Sequence, residues 1–198
     1  MHQLSHMWVD FHGLRDAFMR ERGWDYFENS RQATYVHQEY AVKNPLNFVG
    51  YGKYCWGFTA CDGPGWIKRS SDGVEREFFD YFARGAPFGP DDGTVAPWVV
   101  IASLPFAPEI VIPTIRTFSQ MNLSMAGRYG FRPSFNQTFA LADSPTGWWV
   151  SPHYFGIDQG PVALMIENYR TGLLWEIMRR SKPVVTGLRR AGFTGGWL

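Results

Sequence analysis

The stretch GIDQGPVALMIENYRTGLLWE, residues 156–176, joins an acidic loop to a long apolar helix. Asp158 lies between Gly and Pro residues that restrict the backbone, and the apolar side chains that follow cover more than one helix face. Such a helix is buried among other elements, so this segment predicts a helical fold that presents one carboxylate to a cavity. Two more loops, CWGFTACDGPGW at 55–66 and PFGPDDGTVAP at 87–97, hold aspartates similarly. Three loops of this kind favour a site for polar, uncharged ligands.

Composition limits the class of protein. The 198 residues, 45% hydrophobic and 19% charged, predict a single globular domain over 1–198 with one substantial core. The net charge of +1 gives no large field, which argues against nucleic acid as a partner. No apolar run approaches the ~20 residues of a membrane span. Cys55 and Cys61 lack the pairing of a zinc site and are expected to be free thiols.

The period of the apolar residues is mostly helical. A stripe from Phe11 to Trp24 predicts a first helix, and Asn29 with Gln32 resembles a capping box that opens a second helix ending at Asn44. Further helices are predicted at 97–104, 108–121, 161–178 and 183–191. The residues at 129–139 show turn chemistry and no period, so they are interpreted as a loop, and 147–155 is interpreted as an aromatic loop that leads to Asp158.

One segment differs from this helical pattern. β-Favouring residues flank a turn signal at Asp72-Gly73, which predicts a short β-hairpin near 66–82. The alternative is a helix that starts at Asp72. The expected fold class is therefore all-α with one hairpin.

Several strings of the chain resemble the bacterial glucoamylase-like domain family, whose relatives include endo-β-1,2-glucanases. They occur in the family's order and cover nearly the whole chain: SHMWVDFHGLRD at 5–16, DYFENSRQATY at 25–35, CWGFTACDGPG, PDDGTVAP, SLPFAPE at 103–109, GIDQGP and MIENYRTGLLW. The resemblance implies an (α/α)6 toroid, inverting hydrolysis of β-linked glucans, and an active site on the loop-bearing end of the toroid. The location is left open between the bacterial periplasm and cytoplasm.

A toroid of twelve helices is about twice as long as this chain, in which six or seven helices are predicted. The chain is therefore expected to form half or more of an (α/α)6 toroid, the C-terminal part of the domain. By itself it is expected to be inactive, and self-association or a partner is expected to cover the missing half.

Asp158 is the first candidate for a catalytic carboxyl group. Inverting hydrolysis needs a carboxylic acid and a carboxylate in different environments, and the resemblance places the GIDQGP loop at the family's cavity. The alternative is an ordinary helix cap, because an Asp before a helix often caps it. Pro161 lacks one N–H group that a cap would bind, which weakens this alternative.

Other loop residues are candidates for binding a saccharide. Carboxylates accept hydrogen bonds from sugar hydroxyls, and aromatic rings pack on the C–H faces of sugars. The candidates are Trp56, Asp62, Trp66, Asp91, Asp92, Trp149, Tyr154 and Gln159. For the acids the alternative is a turn residue, and for each aromatic residue it is a place in the core.

The sequence therefore predicts a glycoside hydrolase that acts on β-glucan, with β-1,2-glucan favoured, and its partner is an oligo- or polysaccharide. No metal site and no cofactor are predicted, since no ligand cluster or phosphate-binding glycine loop appears. Two alternatives stay open. The chain could be a non-catalytic saccharide-binding or assembly module, or a piece of a cyclic glucan synthase.

Overall fold

The computed structural model describes residues 2–71, 73–123 and 129–198. A 3-10 helix, His2–Met7, comes first. It is followed by helices α1 (Ala17–Arg22) and α2 (Tyr26–Lys43), strands β1 (Ala60–Cys61), β2 (Ile67–Ser71), β3 (Val74–Phe78), β4 (Phe82–Ala83) and β5 (Thr94–Val95), helices α3 (Pro97–Ala102) and α4 (Pro108–Gln120), strands β6 (Phe135–Ala140) and β7 (Trp148–Val150), and helices α5 (Gly156–Thr171), α6 (Leu173–Arg179) and α7 (Lys182–Arg190).

The expectation of an all-α chain, half or more of an (α/α)6 toroid, is wrong. The chain is mixed α/β, with 42% helix and 15% strand. Its strands form three small antiparallel sheets, β1–β4, β2–β3 and β5-β6-β7. β6 was not predicted because four of its six residues are buried, so the alternation of a half-buried strand is absent. Two-residue strands such as β1, β4 and β5 are too short to leave a pattern.

The hairpin expected near 66–82 is present. β2 and β3 pair in register from Ile67↔Phe78 to Ser71↔Val74. Asp72, where the alternative helix was to begin, lies outside the described residues, but β3 occupies the residues that a helix from Asp72 would need.

Helix boundaries follow the local capping chemistry. α2 begins four residues before the predicted position because Asp25, not Asn29, is its N-cap; the Asp25 carboxylate accepts the Glu28 N–H at 2.8 Å. The long helix predicted from Pro161 is two helices. α5 ends at Gly172, whose φ of 70° belongs to the left-handed region, and α6 starts directly after it.

The core lies around α3, all of whose residues are buried. α3 packs against α4 on one side and α5 on the other. The central hydrophobic cluster also includes Trp56, Phe118 and Phe135. Cys55 and Cys61 are buried and free, as predicted. No helix in the described ranges is both long enough and apolar enough to cross a membrane.

Residues near the two ends of the chain form a terminal clasp, made of residues 13–15 and 194–196. Arg15 and Thr194 exchange backbone hydrogen bonds of 3.0 Å in both directions. Gly13 and Gly196 pack so closely that a Cβ atom on Gly196 would lie 2.6 Å from the His12 carbonyl oxygen. Glycine is therefore the residue that lets the two segments meet.

Candidate active site

A cavity of about 250 Å³ opens beside the first turn of α5, and we call it the Asp158 cavity. Asp62, which follows β1, and Asp158 both line it, so separate parts of the chain supply two carboxyl groups. Trp98 of α3 is another lining residue. Tyr81 and Ile157 also line the cavity and are 66% and 75% exposed, so its edge is apolar and open to solvent.

Asp158 is buried at the first turn of α5. The helix begins at Gly156 and its N-cap is Phe155, so Asp158 is the third helical residue and not the cap. Burial, together with the smaller effect of the nearby Asp62 charge, raises the pKa of Asp158 from 3.8 to about 6. A carboxyl group with this pKa exchanges its proton close to neutral pH.

Asp62 is held by two buried serines that belong to the β5-β6-β7 sheet. Ser151, directly after β7, donates its hydroxyl to Asp62 Oδ2 at 3.0 Å. Ser134, directly before β6, donates to the Asp62 carbonyl oxygen at 2.9 Å. The sequence analysis missed both serines because it interpreted their segments as loops. Their position at the ends of two strands is the signal that would have identified them.

A second and more open hollow, the Trp149 hollow, adjoins the cavity. Its volume is about 430 Å³, and it shares Asp62 and Phe155 with the Asp158 cavity. Trp149, Asp80 and His153 line the rest of it. The two concave surfaces therefore meet at Asp62 and combine carboxylates with aromatic rings.

Tyr154 and Gln159 support the loop that precedes β6. The Gln159 amide donates to the Phe131 carbonyl oxygen at 3.1 Å. The Tyr154 ring packs on the Tyr129 ring, with 5.5 Å between centroids, and the Arg132 guanidinium lies 4.2 Å from the Tyr154 centroid. Neither Tyr154 nor Gln159 is among the described residues that line the cavity or the hollow.

Asp92 is buried and Asp91 is half-buried, and neither is among the described residues that line the two concave surfaces. Arg84 donates from Nε and Nη2 to the two Asp92 oxygens, each at 2.7 Å, and both side chains are fully buried. The Tyr51 hydroxyl donates to Asp91 Oδ1 at 2.7 Å, and burial raises the pKa of Asp91. The structure thus brings together the acids of two of the three predicted loops, at Asp62 and Asp158.

The two remaining aromatic candidates lie in contrasting surroundings. Trp56 is 1% exposed in the core, and its indole N–H donates to Thr114 Oγ1 at 2.9 Å. Trp66 is 62% exposed and packs on the rings of Phe79 and Phe82. In residues 2–71, 73–123 and 129–198, no group of three or more His, Cys, Asp or Glu side chains is placed to hold a metal ion.

Comparison with known proteins identifies relatives. A family model described as "Putative glucoamylase" matches residues 1–182. An exo β-1,2-glucooligosaccharide sophorohydrolase of Parabacteroides distasonis is 33% identical over 187 residues, which cover 94% of this chain and 22% of that protein.

Solved structures share the fold. A Bacteroides uniformis protein with the same description as the family superposes with a TM-score of 0.77 at 36% identity, covering 98% of this chain and 40% of its own. An endo-β-1,2-glucanase of Chitinophaga pinensis, solved with sophorotriose and glucose, gives 0.75 at 30% identity and the same two coverages. The chain spans between about a fifth and two fifths of the length of these relatives. It belongs to the glucoamylase family of the matching model, and hydrolases of β-1,2-glucan are among its relatives.

Proposed function

We propose that this chain contributes the catalytic carboxyl group Asp158 to a glycoside hydrolase that acts on β-glucan, with β-1,2-glucan as the substrate. The proposal rests on the surroundings of the Asp158 carboxyl group. It is buried in a cavity beside a second carboxylate, and its pKa is raised to about 6. Raised pKa values of carboxyl groups in clefts mark groups that transfer protons in catalysis.

The proposed reaction is inverting hydrolysis. A water molecule attacks the anomeric carbon, the glycosidic bond breaks, one carboxyl group gives a proton to the leaving oxygen, and a second carboxylate takes a proton from the water. We assign Asp158 to this pair because its proton equilibrates close to neutral pH. The pair needs a separation of about 6.5–9.5 Å so that water fits between the base and the sugar.

The substrate class rests on the relatives and on the shape of the site. Two of the three relatives named above, those from Parabacteroides distasonis and Chitinophaga pinensis, act on β-1,2-linked glucans according to their names. The Trp149 hollow offers an aromatic face beside Asp62, the combination that packs against a sugar ring while accepting hydrogen bonds from its hydroxyls. We propose Asp62 and Trp149 as saccharide contacts, with Trp66 as an outer aromatic surface.

Other candidates have contacts that support structural roles. We propose that Trp56 and Asp92 stabilise the interior through buried hydrogen bonds, and that Asp91 does so through its partly buried bond to Tyr51. Tyr154 and Gln159 hold the loop before β6 in place beside the site. These five positions therefore act on the site through the fold.

The test is hydrolysis by the protein from the complete reading frame. Wild type and Asp158→Asn are assayed on β-1,2-, β-1,3- and β-1,4-glucans, and NMR of the first product gives its anomeric configuration. We expect turnover of β-1,2-glucan with inversion, and a loss of at least ~10²-fold in the Asn variant. The matched control is Asp143→Asn, an exposed carboxylate between β6 and β7, which should keep full activity.

Other results would contradict the proposal. Normal turnover by Asp158→Asn removes Asp158 from the catalytic pair. Binding of β-1,2-glucooligosaccharides by a wild type that hydrolyses none of the three glucans favours a non-catalytic saccharide-binding module. Long apolar helices in the same reading frame, together with glucan synthesis, favour a synthase.

A further inference from the structure

The loop of Asp62 meets the ends of two strands at a pair of buried serines. Ser134 is 0% and Ser151 is 1% exposed, and the Ser151 N–H donates to the Ser134 carbonyl oxygen at 3.0 Å. Ser134 then fixes the backbone of Asp62, and Ser151 fixes its carboxylate. Each serine therefore uses its hydroxyl on a residue about 70 to 90 positions away in the chain.

From this geometry we propose that Ser151 is a positioning residue: its hydroxyl fixes the Asp62 carboxylate at the wall of the cavity that contains Asp158. This inference rests on the proposed function for the importance of Asp158. It goes beyond that function by naming a new residue. Ser151 is not among the residues that line the Asp158 cavity or the Trp149 hollow, and it acts on Asp158 through the Asp62 carboxylate.

Burial of Ser151 makes its hydrogen bond to Asp62 important for stability. A buried hydroxyl without a hydrogen bond costs free energy, and the bond to an ionised carboxylate is stronger than one between neutral groups. With that bond in place, Asp62 Oδ2 stays on the side of β7. Without it, the side chain can turn toward solvent in the open Trp149 hollow.

The position of the Asp62 charge matters because this charge contributes to the raised pKa of Asp158. Among the described residues, the other titratable groups that line the Asp158 cavity or the Trp149 hollow are Cys61, Asp80, Tyr81 and His153, and Arg84 donates to the Cys61 carbonyl oxygen. Arg84 is engaged with Asp92 and with backbone carbonyl groups, so its charge is already compensated. Burial is the main cause of the raised pKa of Asp158 and the Asp62 charge is the second, so displacing Asp62 lowers that pKa and leaves the burial effect unchanged.

The experiment measures the protonation of Asp158 directly in this chain. Carbon-13 NMR of the aspartate carboxyl groups is followed against pH for wild type, Ser151→Ala, Asp62→Asn and the double variant. We expect a wild-type midpoint of about 6. Ser151→Ala and Asp62→Asn should each lower it by roughly 0.5–1 pH unit, the effect of weakening or removing a nearby like charge. The double variant should equal Asp62→Asn, because Ser151 acts through Asp62.

Controls separate positioning from a general structural effect. Ser144→Ala removes a hydroxyl that bonds to Thr146 in the turn between β6 and β7, and it should leave the midpoint unchanged. Ser151→Thr keeps the hydroxyl and should retain a midpoint near that of wild type. If Ser151→Ala fails to fold, Ser151→Cys replaces it, since a thiol has similar size but donates weakly.

Two results would overturn the inference: an unchanged midpoint in a folded Ser151→Ala protein, or shifts that add in the double variant. The titration needs no glucan. If the Asp158 midpoint does not shift as expected, the hydrolase proposal still stands. If the midpoint shifts as expected but the complete protein hydrolyses no glucan, only the hydrolase proposal is removed.

Discussion

Replacing Asp158 by Asn should stabilise this chain, and the gain should depend on pH. The folded protein holds the Asp158 pKa at about 6, against an ordinary value of 3.8. Between these values the folded state binds more protons than the unfolded state, so stability falls as pH rises through this window. The full difference corresponds to about 3 kcal/mol at most, at ~1.4 kcal/mol per pH unit. An amide in the same place does not titrate and avoids this cost.

The assay is urea unfolding of wild type and Asp158→Asn at two pH values. At a pH of about 7.5 the Asn variant should be more stable by up to about 3 kcal/mol, and at a pH of about 4.5 by about 1 kcal/mol. Asp143→Asn, which removes an exposed carboxylate, should give the same small effect at both pH values. An Asp158→Asn effect that is the same at both pH values would refute the reasoning, because it would come from packing and not from ionisation.

Three further predictions follow from buried or exposed groups. Arg84→Met should destabilise the protein by about 3–5 kcal/mol in urea unfolding, because it leaves the Asp92 carboxylate charged and buried. An equal loss of stability when an exposed ion pair is broken would contradict this cause. Cys55 and Cys61, whose pKa values burial raises to about 12, should react with a thiol reagent only on unfolding, and rapid labelling of the native protein would count against it. The apolar surface around Ile157 should cause concentration-dependent self-association in sedimentation, and a monomer at all concentrations would argue otherwise.

The helical parts of the fold could be predicted from the sequence because their signals are local. Pro97 and Pro108 mark the first turns of α3 and α4 as the sequence indicated. The predicted start of α2 was four residues too late because Asp25 and Asn29 are both suitable N-cap residues, and it is Asp25 whose carboxylate accepts the Glu28 N–H. Local propensity does not decide between such neighbours.

The strands and half of the site depend on long-range contacts. β6 and β7 form because Phe135 pairs with Val150 across the sheet, a contact that no local period reveals. Asp62 and Asp158 were found as acids in restricted loops, but their common cavity depends on how α5 packs against α3. The interior position of Asp92 depends on Arg84, a residue that the acidic loop does not contain.

The terminal clasp bears on the order in which this chain folds. Its two segments lie about 180 positions apart, so closing the clasp costs more chain entropy than any contact within one helix or hairpin. Folding rates fall as the mean sequence separation of contacts grows. We therefore expect the clasp to close late, after the core around α3 has formed. During synthesis on a ribosome it cannot close before residue 196 has left the exit tunnel, so Arg15 of the nascent chain lacks its two backbone hydrogen bonds to Thr194 until translation of this segment is complete.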